Sequence, residues 1–557
     1  MLVMKKEILV FVGIVLLFFA LRLPAIHSPY HQDEYKWPII VNPALTEPGG
    51  IPHPPLSEVI YRATFYLFGS DNFRLTPLLF GFANLVLIYL IVRRRYSVNA
   101  AVWAVLFFAL SYYSVLASLM VDTDGQILPF FFLLALWFYD SFNFSLSGKK
   151  KLWLTLFLLS LIAGILVKMS FILAMGTFVL DFLIEKQIFK NKGRLMKSLS
   201  LGFVGIVILA ALIYFSKFVF PFFNLEFAVK YWEGFARGFS DRNFLQTGIQ
   251  FVKAIFYLSP ALVLSGLISL WPYKKELKVL HIFLGLGLIF YLFVFDFSQG
   301  ALDRYFQFMI VPLCIIAGFL FEEVFKDKFS KKIVLIAVIV SCLIFLLQYV
   351  SQYAPPLYPK TEWISRFISL KWNFLFPFTG GSGPLPFYVS FLFISVAYLY
   401  TAILTIFSYI KKNLRSEFIL AIFILGLVYN LAFTQEYLFG NINGSASTLV
   451  ARAAKFIEED PDIKMVTVYN DNGGYEVIKT GKYRKRLYID PKFDVTEKVK
   501  TLNTYKEHYL VVEIPNIDSD TVYAEYFNSC QTIFKEEDKY ITARIYDCRN
   551  IPDLEIK

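Results

Sequence analysis

Apolar runs of about 20 residues, each long enough to cross the hydrocarbon layer of a bilayer as a helix, recur along the chain until about residue 433. They fall near 7–23, 76–92, 99–118, 125–140, 152–167, 170–185, 197–218, 250–270, 279–296, 306–324, 332–350, 387–409 and 417–433, about thirteen in all. With 57% hydrophobic residues and a mean hydropathy of +0.56, the chain carries more apolar surface than a soluble core could hide, so lipid is its main solvent. The fold class that follows is a polytopic α-helical membrane protein with a C-terminal α/β domain outside the cytosol. The first run is read as a retained signal anchor, because Arg22 and Pro24 stand where small residues should precede a cleavage site.

The net charge of +11 does not point to nucleic acid, because the basic residues gather in short connections rather than along one face. Lys5-Lys6, Arg93-Arg94-Arg95, Lys149-Lys150-Lys151, Lys274-Lys275-Lys278 and Lys411-Lys412-Arg415 alternate with poorly charged connections, which assigns their side to the cytosol. An odd number of crossings then puts the N-terminus in the cytosol and the C-terminus outside, in a multi-pass protein of the cell membrane. Residues 1–436 are expected to form the membrane domain, with external connections at 24–75, 219–249 and 351–386 rich in Pro and aromatic residues. Residues 437–557 carry frequent charges and short alternating runs. They are expected to form a soluble extracytoplasmic domain with a helix near 446–459, strands near 465–469, 486–490, 508–514 and 540–546, and a turn at Asn470-Asp471-Asn472-Gly473-Gly474. Cys314 and Cys342 lie in apolar runs and read as small buried hydrophobes, whereas Cys530 and Cys548 could form a disulfide in an oxidising compartment.

The ionisable residues hardest to explain structurally all fall on the outer side: Asp33, Glu34, His53, Asp122, Asp124, Lys168 and Arg304. Any one of them alone reads best as a loop charge or a snorkelling side chain. Their placement at one membrane level instead suggests a site that opens at the outer interface. Such a site suits a sugar carried on a polyprenyl phosphate, whose leaving group departs as an anion and needs no general acid. Cations such as Lys168 and Arg304 would hold the phosphate, and a carboxylate such as Asp33 would take the proton from an attacking hydroxyl, a single displacement with inversion.

Motifs in this order resemble a known group. His31-Gln32-Asp33-Glu34-Tyr35, then His53-Pro54-Pro55-Leu56, then Phe68-Gly69 with Arg74-Leu75, are similar to the first external loop of the protein O-mannosyltransferases. A related Pro-Pro-Leu element marks the lipid A aminoarabinose transferases, and both groups belong to the GT-C glycosyltransferase superfamily. Asp124-Gly125-Gln126-Ile127-Leu128, Leu166-Val167-Lys168-Met169-Ser170, and Asp303-Arg304-Tyr305 with Pro312 resemble later segments of the same family. The resemblance implies that Asp33 is the catalytic acidic residue, that Glu34 supports substrate, and that Asp124, or else Asp122, is a second acid near the acceptor. It also implies that Lys168, Arg304 and Tyr305 lie near the donor phosphate and that His53 binds substrate. Two departures count against a protein acceptor: Ser57-Glu58 follows Leu56 where mannosyltransferases usually have Gly-Lys, and no connection is large enough for a lectin-like domain.

The expected function is therefore transfer of a single sugar from a dolichyl- or undecaprenyl-phosphate donor to a hydroxyl of a glycan, lipid or protein. No cofactor is assigned; a divalent metal is possible but not expected, with His53 beside Asp33 or Asp124 as the weak candidate. The competing reading is a transporter or flippase of lipid-linked sugars, which should place charges near the bilayer midplane in matching halves, a pattern not seen. An oligosaccharyltransferase would share the fold, yet Tyr231-Trp232-Glu233-Gly234 has one Trp where that signature has two. Tyr112-Tyr113 reads as an interfacial aromatic pair, and Asn443-Gly444-Ser445 as a chance match to a glycosylation acceptor.

Overall fold

The computed structural model describes residues 2–42, 53–144, 147–188, 192–235, 242–270, 273, 275–296, 304–325, 330–355, 362–378, 385–487, 494–513, 517 and 521–555. Among these, nine helices are long and apolar enough to cross a membrane, and two bent helix pairs raise the number to eleven. Their positions follow the apolar runs. The run at 99–118 is the pair Val98–Leu110 and Tyr112–Leu119, bent by 64° at Ser111, whose backbone is extended. That at 250–270 is the pair Phe244–Tyr257 and Pro260–Ser269, bent by 106°. Pro260 cannot donate to a helix continued through it and pushes Ser259 into extended backbone, so a new helix must start there. The runs at 170–185 and 279–296 are the shorter helices Ile172–Glu185 and Lys278–Ile289, the latter continued by a π turn to Val294. The run at 387–409 starts four residues later as a helix, Phe391–Ile410, because Phe387–Ser390 is a strand and the Ser390 hydroxyl caps the Phe393 amide.

The chain divides into two compact units, Met1–Ile26 with Lys36–Phe329, and His27–Tyr35 with Ser330–Lys557. The first unit is a helical bundle held by small residues and paired charges. Helix Ile310–Phe325 lies so close to Val98–Leu110 that a Cβ on Gly318 would meet the Ala104 backbone, the close approach that membrane helices use in place of a hydrophobic driving force. Arg22, fully buried, donates to the carbonyls of Phe18 and Ala109 and to the Ser114 hydroxyl, and so ties the first helix to the bend at Ser111. At the opposite end of the bundle Arg95 grips the Asp140 carboxylate and Lys278 meets Asp181 at 2.7 Å. Tyr112 and Tyr113 are not an interfacial pair: both are fully buried, stacked against Tyr257 beside the bend. Cys314 is buried, but Cys342 is exposed on its helix, since a span beside lipid has an outer face as apolar as its inner one.

The second unit joins three spans, within residues 331–349, 391–410 and 412–439, to two sheets. Strands β1 (Leu375–Phe378) and β2 (Phe387–Ser390) pair antiparallel inside the segment read as a connection and the start of a span. The larger sheet contains β3 (Val466–Tyr469), β4 (Tyr483–Leu487), β5 (His508–Glu513), β6 (Gln531–Asp538) and β7 (Ile541–Asp547) in the order β4-β3-β5-β7-β6, with β3 parallel to β4 and β5 and the rest antiparallel. Strand β4 begins earlier than expected from sequence. Strand β6 is missing from the expected set because Lys535-Glu536-Glu537-Asp538 hides its alternation, as suits a charged edge strand. The helix at 446–459 is Ala446–Glu459, and its apolar face (Ala453, Ile457) packs on Val466, Val468, Leu510 and Ile545. Gly440, left-handed at φ 58°, ends the preceding span, and the Glu436 carboxylate accepts from the Ile442 and Asn443 amides in the turn beyond it. The Asn443 side chain is buried and donates to the Tyr388 carbonyl. Cys530 and Cys548 are joined by a disulfide with their Cα atoms 4.7 Å apart.

Gly318→Leu should lower thermal stability in detergent by about 1–3 kcal/mol through overpacking against Ala104. Gly205→Leu, at a position with nothing within 4 Å, should leave the melting temperature where it is.

Candidate functional site

The candidate residues of the first unit converge on the segment 119–126, which is held from several sides. Helix Tyr112–Leu119 ends as Met120 turns extended, and the released carbonyls find donors: Arg74 donates to Leu119 O, and Tyr61 Oη to Asp122 O at 3.0 Å. Asn84 donates to both the main-chain and side-chain oxygens of Gln126, whose Nε2 donates to Ser118 Oγ. Motif residues Arg74 and Gln126 therefore build the segment that presents Asp122 and Asp124. Lys168 is the first extended residue after helix Lys150–Val167, so its ammonium stands where the helix dipole favours a cation.

Two acid–base pairs result. Arg304 Nη1 donates to Asp122 Oδ2 at 2.6 Å, while Asp122 Oδ1 accepts the Thr123 amide at 2.6 Å. Lys168 Nζ donates to Asp124 Oδ2. All four side chains are buried, at 2–6% exposure. Tyr305 lies across both pairs: its ring is 5.3 Å from Lys168 Nζ and 5.0 Å from the Arg304 guanidinium, and its hydroxyl accepts from Arg304 Nη2 at 3.2 Å. Burial alone would raise the Asp122 carboxyl, but Arg304, Lys36 and Lys168 outweigh it and hold the group well below the usual carboxylate range. For Lys168, burial works against the charge and the Asp124 and Asp122 carboxylates overcome it, so its ammonium is held above the ordinary value. A pocket beside the pairs is lined by Asp124, Ser170, Tyr291, Arg304 and Tyr305 together with Phe132, Phe283 and Phe308. Two buried cations next to an aromatic pocket form a donor set that can grip a phosphate, the guanidinium in bidentate fashion and the ammonium as a point charge.

His53 is 3% exposed and its ring stacks with Trp37 at 6.1 Å, with Tyr231 edge-on at 6.3 Å. Burial first, then Lys168, Lys36 and Arg304, lower its pKa well below the ordinary value and keep the ring neutral. Trp37 in turn stacks on Tyr61 at 4.3 Å, so this aromatic layer reaches the residue that holds Asp122. Trp37 and Tyr61 are absent from the sequence reading, where an aromatic residue in a membrane connection has no local mark of such a task. Among the described residues no three His, Cys, Asp or Glu side chains converge as a metal ion would require. Asp303 lies outside the described residues.

Asp33 and Glu34 belong to the second unit. They lie in a short 3-10 turn, Gln32–Glu34, in which the Glu34 amide donates to His31 O and Glu34 Oε2 accepts the His31 amide, while Asp33 is half-buried. The flanking residues reach the turn after β3: His31 Nδ1 is 3.2 Å from Asp471 O, and Tyr35 Oη donates to Asp471 Oδ2 at 2.6 Å. Burial lowers the His31 pKa to about 4.

Asp124→Asn leaves the buried Lys168 ammonium without its nearest counter-charge and should destabilise the protein by about 3 kcal/mol, with most of the loss recovered when Lys168→Met is added; thermal unfolding of the two variants checks this. The buried His31 gives a pH dependence. Between about pH 6.5 and about 4 the unfolded chain binds a proton that the folded one does not, so this contribution is complete above 6.5 and is lost as pH falls to 4, by roughly 3 kcal/mol. Asp471, whose carboxyl is raised by burial, acts in the opposite sense. The measurement is therefore the difference in acid stability between the wild type and His31→Gln, which should lose the His31 component.

Residues 52–216, which contain His53, Asp122, Asp124 and Lys168, match the dolichyl-phosphate-mannose-protein mannosyltransferase family. No curated protein matches the chain. Among solved structures, ArnT from Cupriavidus metallidurans in the apo state superposes over 98% of this chain and 99% of its own, at 14% identity and a TM-score of 0.53. The same protein bound to undecaprenyl phosphate gives 15% identity and a TM-score of 0.54 over the same shares. The Archaeoglobus fulgidus oligosaccharyltransferase tethered with an acceptor peptide covers 91% of this chain and 69% of its own, at 11% identity and a TM-score of 0.44. The chain thus has the GT-C glycosyltransferase fold, in the form that resembles the protein mannosyltransferases and ArnT.

Proposed function

We propose that this protein is an inverting glycosyltransferase that moves one sugar from a polyprenyl phosphate, dolichyl or undecaprenyl, to an acceptor hydroxyl outside the cytosol. The observation that carries the reading is the pair of buried cations, Lys168 and Arg304, beside an aromatic pocket in a chain with the GT-C fold. The undecaprenyl phosphate bound by the Cupriavidus metallidurans ArnT supports a donor of this chemical class.

In the proposed reaction the donor phosphate takes over hydrogen bonds that Asp122 and Asp124 now accept from Arg304 and Lys168. The acceptor oxygen forms its bond to the anomeric carbon as the bond from that carbon to the phosphate oxygen breaks. Asp33 takes the acceptor proton, and the polyprenyl phosphate leaves with the electron pair. Glu34 braces the turn that carries Asp33 through the His31 amide, His53 and Tyr305 contact substrate, and Asp124 serves the acceptor side. The Lys and Arg distribution supports a cytosolic N-terminus in the cell membrane and an extracytoplasmic domain at 437–557, and the disulfide between Cys530 and Cys548 fits an oxidising compartment.

Purified protein given radiolabelled polyprenyl-monophosphate sugars and a membrane or cell-wall extract should transfer label, and Asp33→Asn should lose on the order of a hundredfold in rate. If no donor is consumed while labelled lipid crosses liposome bilayers equally in both proteins, the chain is a transporter and the reading falls.

A further inference from the structure

The turn at 470–474 reads in the sequence as a simple chain reversal, yet its geometry is more demanding than a reversal needs. Asn470 and Asp471 both adopt left-handed backbone, at φ 52° and 62°, a conformation that Asn and Asp reach more readily than other residues with a Cβ but usually one residue at a time, so two in succession call for outside support. That support comes from two directions. Arg486 of β4 donates to Asp471 Oδ2 at 2.8 Å, and Tyr35 donates to the same oxygen at 2.6 Å, so a fully buried carboxylate links the sheet to a residue 436 positions earlier in the chain. The Asp471 carbonyl meets His31 Nδ1 at 3.2 Å. Around this link, Tyr475 packs on Tyr30 at 5.0 Å and on Tyr35 at 6.3 Å. Gly474 completes the fit, because a Cβ there would collide with Asp471 Oδ1 and touch the Tyr35 ring.

His31 and Tyr35 bracket Asp33. The two residues that Asp471 engages are thus the two ends of the turn that carries the proposed base. We propose that Asp471 is a positioning residue: it fastens the segment His27–Tyr35 to the C-terminal sheet and thereby fixes the Asp33 carboxylate for catalysis. The inference rests on the transferase reading for its catalytic half and on the geometry alone for the anchoring half. Asp471 touches no substrate in this account and acts only through Tyr35 and His31.

The test uses full-length purified protein and compares the wild type with Tyr35→Phe, which removes one hydroxyl, Asp471→Asn, and the double variant. Hydrogen–deuterium exchange of the peptide spanning 27–35 should rise about tenfold in each single variant, the size expected for loss of one charge-assisted hydrogen bond. The donor-dependent kcat should fall by about the same factor with the donor KM unchanged, and the double variant should be no worse than the more impaired single one, because both changes remove the same link. Unchanged exchange in Tyr35→Phe overturns the anchor. Raised exchange with wild-type turnover overturns the positioning role. If Asp471→Asn does not fold, Tyr35→Phe decides alone. A wild type that consumes no donor defeats the transferase reading and the catalytic half with it, while the exchange result still decides whether Asp471 holds the segment.

Discussion

An ionised group taken out of water among apolar helices needs an opposite charge or a set of hydrogen-bond acceptors, and the first unit meets that need both ways, Arg22 on two carbonyls and a hydroxyl and four other cations on carboxylates. Arg95 with Asp140 and Lys278 with Asp181 sit toward one end of the bundle, and Asp122 with Arg304 and Asp124 with Lys168 toward the other. The two sets are not equivalent. The first ties helices together. The second is stacked against Tyr305 beside a pocket, where its cations are already out of water.

That difference gives the pairs a chemical sense. A carboxylate on each cation makes the cluster neutral, and in the proposed reaction a phosphate that displaced those carboxylates would find donors already aimed. Asp122 is the more firmly held of the two acids, since its second oxygen accepts the Thr123 amide and its carbonyl accepts the Tyr61 hydroxyl. The aromatic layer of Trp37, Tyr61 and His53 packs behind it, and burial with the nearby Lys168 and Lys36 keeps the imidazole neutral, so His53 adds no positive charge there.

The membrane helices were legible in the sequence because their signal is additive: a run of apolar residues reads the same wherever its neighbours are. The interruptions were less so. Pro260 could have announced the bend at 259, but Ser111 breaks a helix that hydropathy alone runs straight through. The sequence marks Asp122, Asp124, Lys168 and Arg304 as members of one group but not how they pair, because Asp122 and Arg304 stand 182 positions apart and neither residue carries a mark of its partner. Asp471 was visible only as a turn residue. Its carboxylate gains meaning from Tyr35 and Arg486, which no local pattern connects to it.

The link between Asp471 and the segment 27–35 also has a consequence in time. A chain emerges from the ribosome N-terminus first, at about 5–20 residues per second, so the residues that hold His31 appear on the order of a minute after His31 itself, 440 positions later. Throughout that interval the first spans can insert and pair while the turn bearing Asp33 lacks its fastening. Assembly of the acidic turn is thereby tied to the emergence of β3 and β4, and a chain stalled before them would carry every membrane helix of the first unit without a fastened Asp33 turn.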